Sequence, residues 1–140
     1  KIDVGSRIIL RGKNSSGEAI SRAIVADSSQ IYARGTLIAQ NDESKAHLDC
    51  RGILFSNDGI MYAIPELLAD RAPNSILSHE AAIGPIAEEE IEYLMTRGLS
   101  KEEAVSLITQ GFMDVEILGL PKHLEDYIRR MIELTQKESM

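Results

Sequence analysis

The chain has 140 residues, 44% of them hydrophobic and 26% charged, and a formal net charge of −7. That size suffices for a domain burying roughly 68–70% of its unfolded surface. The acidic balance argues against a nucleic-acid binder, which needs Lys and Arg to neutralise phosphates. No run approaches the roughly 20 apolar residues of a membrane span, and no signal peptide stands at the front. The single cysteine rules out an internal disulfide and fits a cytoplasmic location. The chain opens at Lys1 in what already reads as a strand pattern, as a piece of a longer protein would.

Residues 1–84 are rich in β-branched residues in short runs. The pattern predicts strands over Arg7–Leu10, Ser21–Ala26, Ile31–Ile38, Ala46–Phe55, Met61–Ile64 and Ser75–Ala81. Turn clusters separate them: Asn14-Ser15-Ser16-Gly17, Asp27-Ser28-Ser29, Asn41-Asp42-Glu43-Ser44, Ser56-Asn57-Asp58-Gly59 and Ala72-Pro73-Asn74. Arg-Gly recurs at Arg11-Gly12, Arg34-Gly35 and Arg51-Gly52, and the last two lead into similar apolar triplets. An irregular spacing of roughly 20 residues is what stacked rungs of a β-solenoid would give. Asp58-Gly59 instead favours a two-residue hairpin, which keeps a meander or a sandwich open.

Gly84-Pro85 ends the strand pattern. A helix is expected from about Ala87 to Arg97. Glu88, Glu89 and Glu90 suit the positive end of its dipole, Ile91, Leu94 and Met95 form its apolar stripe, and Gly98 stops it. Ser100-Lys101-Glu102-Glu103 is a capping box that starts a second helix. Its stripe is Ala104, Val105, Leu107 and Ile108, and Gly111 is its expected end. A third helix starts near Pro121, with Leu124, Ile128, Met131 and Ile132 on one face. None is long or apolar enough to stand alone, so they should pack on each other or on the β part.

Alternation sorts the chemistry. In Ala46–Phe55, the residues Ala46, Leu48, Cys50, Gly52 and Leu54 share one face, and His47, Asp49 and Arg51 share the other. A lone cysteine on an apolar face reads as a small buried hydrophobe rather than a reactive thiol. The stretch Ile76-Leu77-Ser78-His79-Glu80-Ala81-Ala82-Ile83-Gly84-Pro85 sets two ionisable residues among apolar and small ones. Such groups are costly to bury unless paired or used, which makes His79 and Glu80 the first candidate site. A regular strand points them to opposite faces, against a shared proton-transfer role, unless a bulge intervenes. The plain alternatives are a hydrogen-bonded core histidine and a surface carboxylate. There is no Cys-x-x-Cys, no His-Glu-x-x-His, no EF-hand loop and no phosphate-cradling glycine loop. No Ser/His/Asp set is identifiable by spacing.

Ser78-His79-Glu80-Ala81, then Ile86-Ala87-Glu88-Glu89-Glu90-Ile91-Glu92-Tyr93-Leu94-Met95-Thr96-Arg97-Gly98-Leu99-Ser100-Lys101-Glu102-Glu103-Ala104, then Ile108-Thr109-Gln110-Gly111-Phe112, resembles the C-terminal signature of the SufB/SufD family of SUF iron–sulfur cluster assembly. Cys50 to Glu66 resembles the family's approach to that signature. The resemblance covers essentially the whole chain and is looser before Ala46. It implies a mainly β fold with α, namely the final rungs of a right-handed parallel β-helix over 1–84 followed by a small helical region over 85–140. It implies a scaffold rather than an enzyme, a transient iron–sulfur cluster, a SufB- or SufD-like partner in a homo- or heterodimer, and a SufC-like ABC ATPase. On this resemblance His79, Glu80 and Cys50 are cluster-assembly candidates, with Cys50 and His79 the candidate metal ligands. Glu89, Tyr93, Arg97, Gly98, Glu103 and Phe112 fall on the ATPase-docking surface. Counted back from Pro65, the family's scaffold cysteine falls at Gly59, and Cys50 matches a different, upstream cysteine. Two other readings stand beside it: a β-helix enzyme with paired carboxylates in a polysaccharide groove, and a purely structural regulator of the ATPase.

Overall fold

The computed structural model describes residues 1–115 and 121–138, with backbone only at 129 and 132–138. The chain divides into two units, Lys1–Ala87 and Glu88–Met140.

The first unit holds six strands: β1 (Ile2–Leu10), β2 (Ser16–Val25), β3 (Gln30–Ala39), β4 (Lys45–Leu54), β5 (Ile60–Ala69) and β6 (Ile76–Gly84). They form two three-stranded parallel sheets, ordered β1-β3-β5 and β2-β4-β6. Consecutive strands therefore lie in different sheets. Ile2 stands beside Ile31, Ser16 beside Lys45, Gln30 beside Ile60 and Lys45 beside Ile76, so partners are 29, 29, 30 and 31 positions apart. The repeat is thus a pair of strands, longer than the spacing of the Arg-Gly dipeptides suggests. Arg11-Gly12 lies after β1, while Arg34-Gly35 and Arg51-Gly52 lie in different sheets. Asp58-Gly59 joins β4 to β5 across sheets and makes no hairpin, because β4 pairs with β2 and β6 while β5 pairs with β3.

All six expected strands are present, mostly longer than the apolar runs that signal them, since the ladder continues through polar residues such as Ser16 and Glu18. One turn geometry recurs between them. The hydroxyls of Ser15, Ser44 and Ser75 donate to the carbonyls of Gly12 (2.7 Å), Asn41 (2.6 Å) and Ala72 (2.7 Å). Successive turns are tied by Lys45 N–H to Ser15 O (3.0 Å) and Ile76 N–H to Ser44 O (2.9 Å).

The core lies between the sheets. One cluster joins Leu10, Ala19, Leu37, Ala46, Leu48 and Cys50, and a second joins Val25, Ile31, Ala33 and Met61. Gly35 provides the seat for Leu48: a Cβ built there would lie 2.3 Å from Leu48 Cδ2. Gly52 does the same for Met61, whose Sδ would lie 2.2 Å from an added Cβ.

The second unit holds α1 (Glu88–Thr96), α2 (Lys101–Met113) and α3 (Lys122–Glu138). Gly98, at φ 100°, ends α1: its N–H bonds Met95 O (3.0 Å) and the Leu99 N–H reaches Leu94 O (3.4 Å). This is a Schellman cap, which requires the left-handed residue that glycine supplies. The capping box at Ser100 forms as read, with Glu103 N–H on Ser100 Oγ (3.2 Å) and Ser100 N–H on Glu103 Oε2 (2.8 Å). α1 and α2 pack together, and Ala104 is fully buried. α2 runs through Gly111 to Met113, since an isolated glycine costs a helix only about 1 kcal/mol. The side chain of Ile132 lies outside the described residues. No described helix is long and apolar enough to cross a membrane.

Candidate functional site

The β2-β4-β6 sheet separates the candidate residues by face. The register from Lys45–Ile76 to Ile53–Gly84 is unbroken, so β6 has no bulge and alternation holds. His79 stands beside Leu48 and Ala81 beside Cys50, on the face that looks into the core. Cys50 and His79 are therefore diagonal neighbours on the inner face. Glu80 stands beside Asp49 on the outer face. His79 and Glu80 lie on opposite faces of β6, and Glu80 does not face Cys50.

Cys50 is 2% exposed and packs with Leu10, Leu37 and Leu48. Burial pushes its thiol pKa up, the Asp49 carboxylate adds to this, and Arg22 opposes it. At neutral pH it is a thiol, the form that is a poor nucleophile and poor metal ligand. Gly59 is buried, and a Cβ there would lie 2.8 Å from Val25 Cγ1, so the position is closed to a cysteine without a shift of Val25. Unlike Cys50, His79 is exposed, because β6 is the last strand of its sheet.

The outer face carries a network that only the register reveals. Asp49, 7% exposed, sits between two guanidiniums. Arg22 on β2 donates to Asp49 Oδ2 at 2.7 Å, and Arg51 donates through Nε to Oδ1 at 3.0 Å. The remaining arm of Arg51 reaches Glu80 Oε1 on β6 at 3.3 Å. Burial raises the Asp49 pKa, but the hydrogen bonds from Arg22 and Arg51 outweigh it, and the net shift is downward. One row away, His47 Nδ1 and Ser78 Oγ are 2.9 Å apart, and Glu18 stands beside His47 on β2. Alternation groups His47, Asp49 and Arg51, but nothing local points to Arg22 or Glu80 as their partners, because those lie 27 and 29 residues from them.

Among the described residues, no three His, Cys, Asp or Glu side chains converge to hold a metal ion. Asp49 and Glu80 are adjacent carboxylates, yet Asp49 is held ionised between two arginines. That does not suit the general acid that a glycosidase pair requires.

In the helical unit, Tyr93 is 58% exposed. The Arg97 guanidinium lies 5.2 Å from its ring centroid and donates to its hydroxyl at 3.3 Å. Glu89 is exposed one turn earlier, and Phe112 is half-buried near the end of α2. Gly98 and Glu103 serve the caps described above.

The core-domain model of SufBD proteins of SUF-system iron–sulfur cluster assembly matches residues 1–112. An iron–sulfur cluster assembly SufBD family protein of Archaeoglobus fulgidus is 53% identical over 137 residues, covering 98% of this chain and 37% of that protein. One from Methanothermobacter thermautotrophicus is 49% identical, covering 97% of this chain and 33% of its own length. One from Pyrococcus horikoshii is 39% identical, covering 95% and 30%. The chain spans about a third of the length of these relatives. With its core-domain match across both sheets and both capped helices, the chain belongs to the SufBD family of iron–sulfur cluster assembly proteins.

Proposed function

We propose that this chain is the C-terminal part of a SufB- or SufD-like scaffold subunit. It holds or passes on a nascent iron–sulfur cluster as cargo and is driven by a SufC-like ABC ATPase. The observation that carries the reading is the position of His79 and Glu80 on β6, the edge strand of its sheet. An edge strand offers unpaired backbone groups to a second subunit, and these two side chains accompany it. The two-strand period and the alternation between sheets support a parallel β-helix, right-handed as the family resemblance implies. The second subunit, SufB- or SufD-like in a homo- or heterodimer, supplies the remaining ligands. The complex works in the cytoplasm, and the subunit itself catalyses no turnover.

In this reading Cys50 is inert at rest and carries sulfur when motion driven by the ATPase opens the inner face. Thiolate suits iron–sulfur ligation, and an opened face would release the burial that keeps the thiol protonated. The ATPase docks on α1 and α2, with Tyr93 and Arg97 as anchors, residue types that dominate interface energies. Glu89 and Phe112 flank them, while Gly98 and Glu103 hold the helix junction in shape.

Calorimetric titration of the full-length protein with its ATPase tests the docking. Tyr93→Ala and Arg97→Ala should each weaken binding by about tenfold or more, or about 1.4 kcal/mol. Wild-type affinity in both variants would contradict the docking surface.

A further inference from the structure

We propose that Arg51 is a positioning residue for Glu80, with buried Asp49 as its anchor. This rests on the reading of Glu80 as part of the assembly site. Taken alone, the Arg51–Glu80 pair would mean little. The two side chains are 44% and 56% exposed, and pairs of that kind contribute almost nothing. What sets it apart is the other end of Arg51. Its Nε is bonded to Asp49 Oδ1, and the Asp49 side chain is only 9% exposed. The other oxygen of Asp49 is taken by Arg22, itself 15% exposed, so the carboxylate cannot rotate without breaking a buried ion pair. The guanidinium plane of Arg51 is thereby fixed, and its free arm is aimed across the strand gap at Glu80.

The exposed pair of Arg34 and Asp3 provides the contrast. There the guanidinium makes two bonds to one carboxylate, at 2.7 and 3.0 Å, and neither reaches a third strand. On the other sheet the geometry is a chain from β2 through β4 to β6. It delivers a fixed guanidinium to β6, which has no further sheet neighbour among the described residues. Arg51 takes up Oε1 of Glu80, while Oε2 makes no hydrogen bond or ion pair among the described residues. The result is a carboxylate of restricted orientation that presents one open oxygen. A hard oxygen donor of this kind suits ferrous iron before thiolate and sulfide complete its ligation. Arg51 does not touch the iron. It restricts where Glu80 can place that oxygen, and lysine would not replace it, because a single ammonium cannot bond Asp49 and Glu80 with the same fork.

The test is the yield of cluster after anaerobic loading of the full-length protein and its partner subunit with ferrous iron and sulfide. Circular dichroism confirms the fold of each variant. Glu80→Gln should lower the yield several-fold, and Arg51→Met should lower it about as much. The double variant should be no worse than either single one, because the two residues act as one unit. Arg51→Lys, which keeps the charge and is the variant surest to fold, should recover less than half of the loss. Guanidinium ion, added far below its unfolding concentration, should restore Arg51→Ala and leave Glu80→Gln unrestored. Arg34→Met should match the wild type. A wild-type yield for Arg51→Met beside a low yield for Glu80→Gln overturns the positioning role and leaves the site reading intact. Losses that multiply in the double variant also overturn it. Wild-type yields in both single variants overturn the positioning role and the site reading together.

Discussion

Leu48→Ala is expected to destabilise the full-length protein by about 3 kcal/mol, within the range for emptying a well-packed leucine site. Leu48 is 1% exposed and belongs to the cluster that joins both sheets. The informative experiment adds Gly35. An alanine there puts its Cβ 2.3 Å from Leu48 Cδ2 and 2.6 Å from Cδ1. Gly35→Ala alone is therefore an overpacking change that costs about 1–3 kcal/mol. In the double variant the clash vanishes, because Leu48 has been truncated, and the new methyl occupies part of the vacated space. Urea unfolding should show the double variant more stable than the sum of the two losses implies, with a coupling of about 1–2 kcal/mol. Simple additivity would mean that Gly35 does not seat Leu48 and that the sheets are not packed face to face at this point.

Asp49→Asn is expected to cost about 3 kcal/mol at neutral pH, near the lower end for breaking a buried ion pair. Most of the loss belongs to Arg22, whose side chain is 15% exposed and would lose its ion pair with the Asp49 carboxylate. Arg51 is 44% exposed and loses less, because water replaces the contact. The pH dependence has a definite sign. The folded-state pKa of Asp49 is below the ordinary carboxylate value, so the unfolded chain binds the proton more readily. The stabilisation is then fully present above the unfolded pKa of about 3.9 and is lost as pH falls through the lower folded value. Urea midpoints of wild type and Asp49→Asn should differ by a constant amount from pH 5 to 8 and converge in acid below about pH 4. A gap that widens as pH falls would contradict the pairing.

Much of this was legible in the residues, for identifiable reasons. Alternation placed Cys50 with Leu48 on the apolar face and separated His79 from Glu80, because a strand without a bulge leaves no other arrangement. The helix punctuation at Gly98 and Ser100 was equally local, since each cap is completed within a few residues. What was not legible depends on register. The repeat is a two-strand unit of about 30 residues, and its clearest marks are turn serines at positions 15, 44 and 75 rather than the Arg-Gly dipeptides. A hydroxyl that closes its own turn leaves no hydrophobic period to detect. Arg22, Asp49, Arg51 and Glu80 meet only because three strands are aligned side by side, and no spacing along the chain encodes that alignment. Asp58-Gly59 has the composition of a hairpin turn, but β4 and β5 each find better partners in opposite sheets.

The central claim is that this part of the protein serves cluster assembly through the inner and edge residues of β4 and β6. Anaerobic loading of the full-length protein, with its partner subunit, ATPase and ATP, tests it most directly. The account predicts visible sulfide-to-iron charge-transfer absorbance in the wild type, with most of it lost in both Cys50→Ser and His79→Ala while their folds remain intact. No such absorbance in the wild type, or full absorbance in both variants, would contradict it.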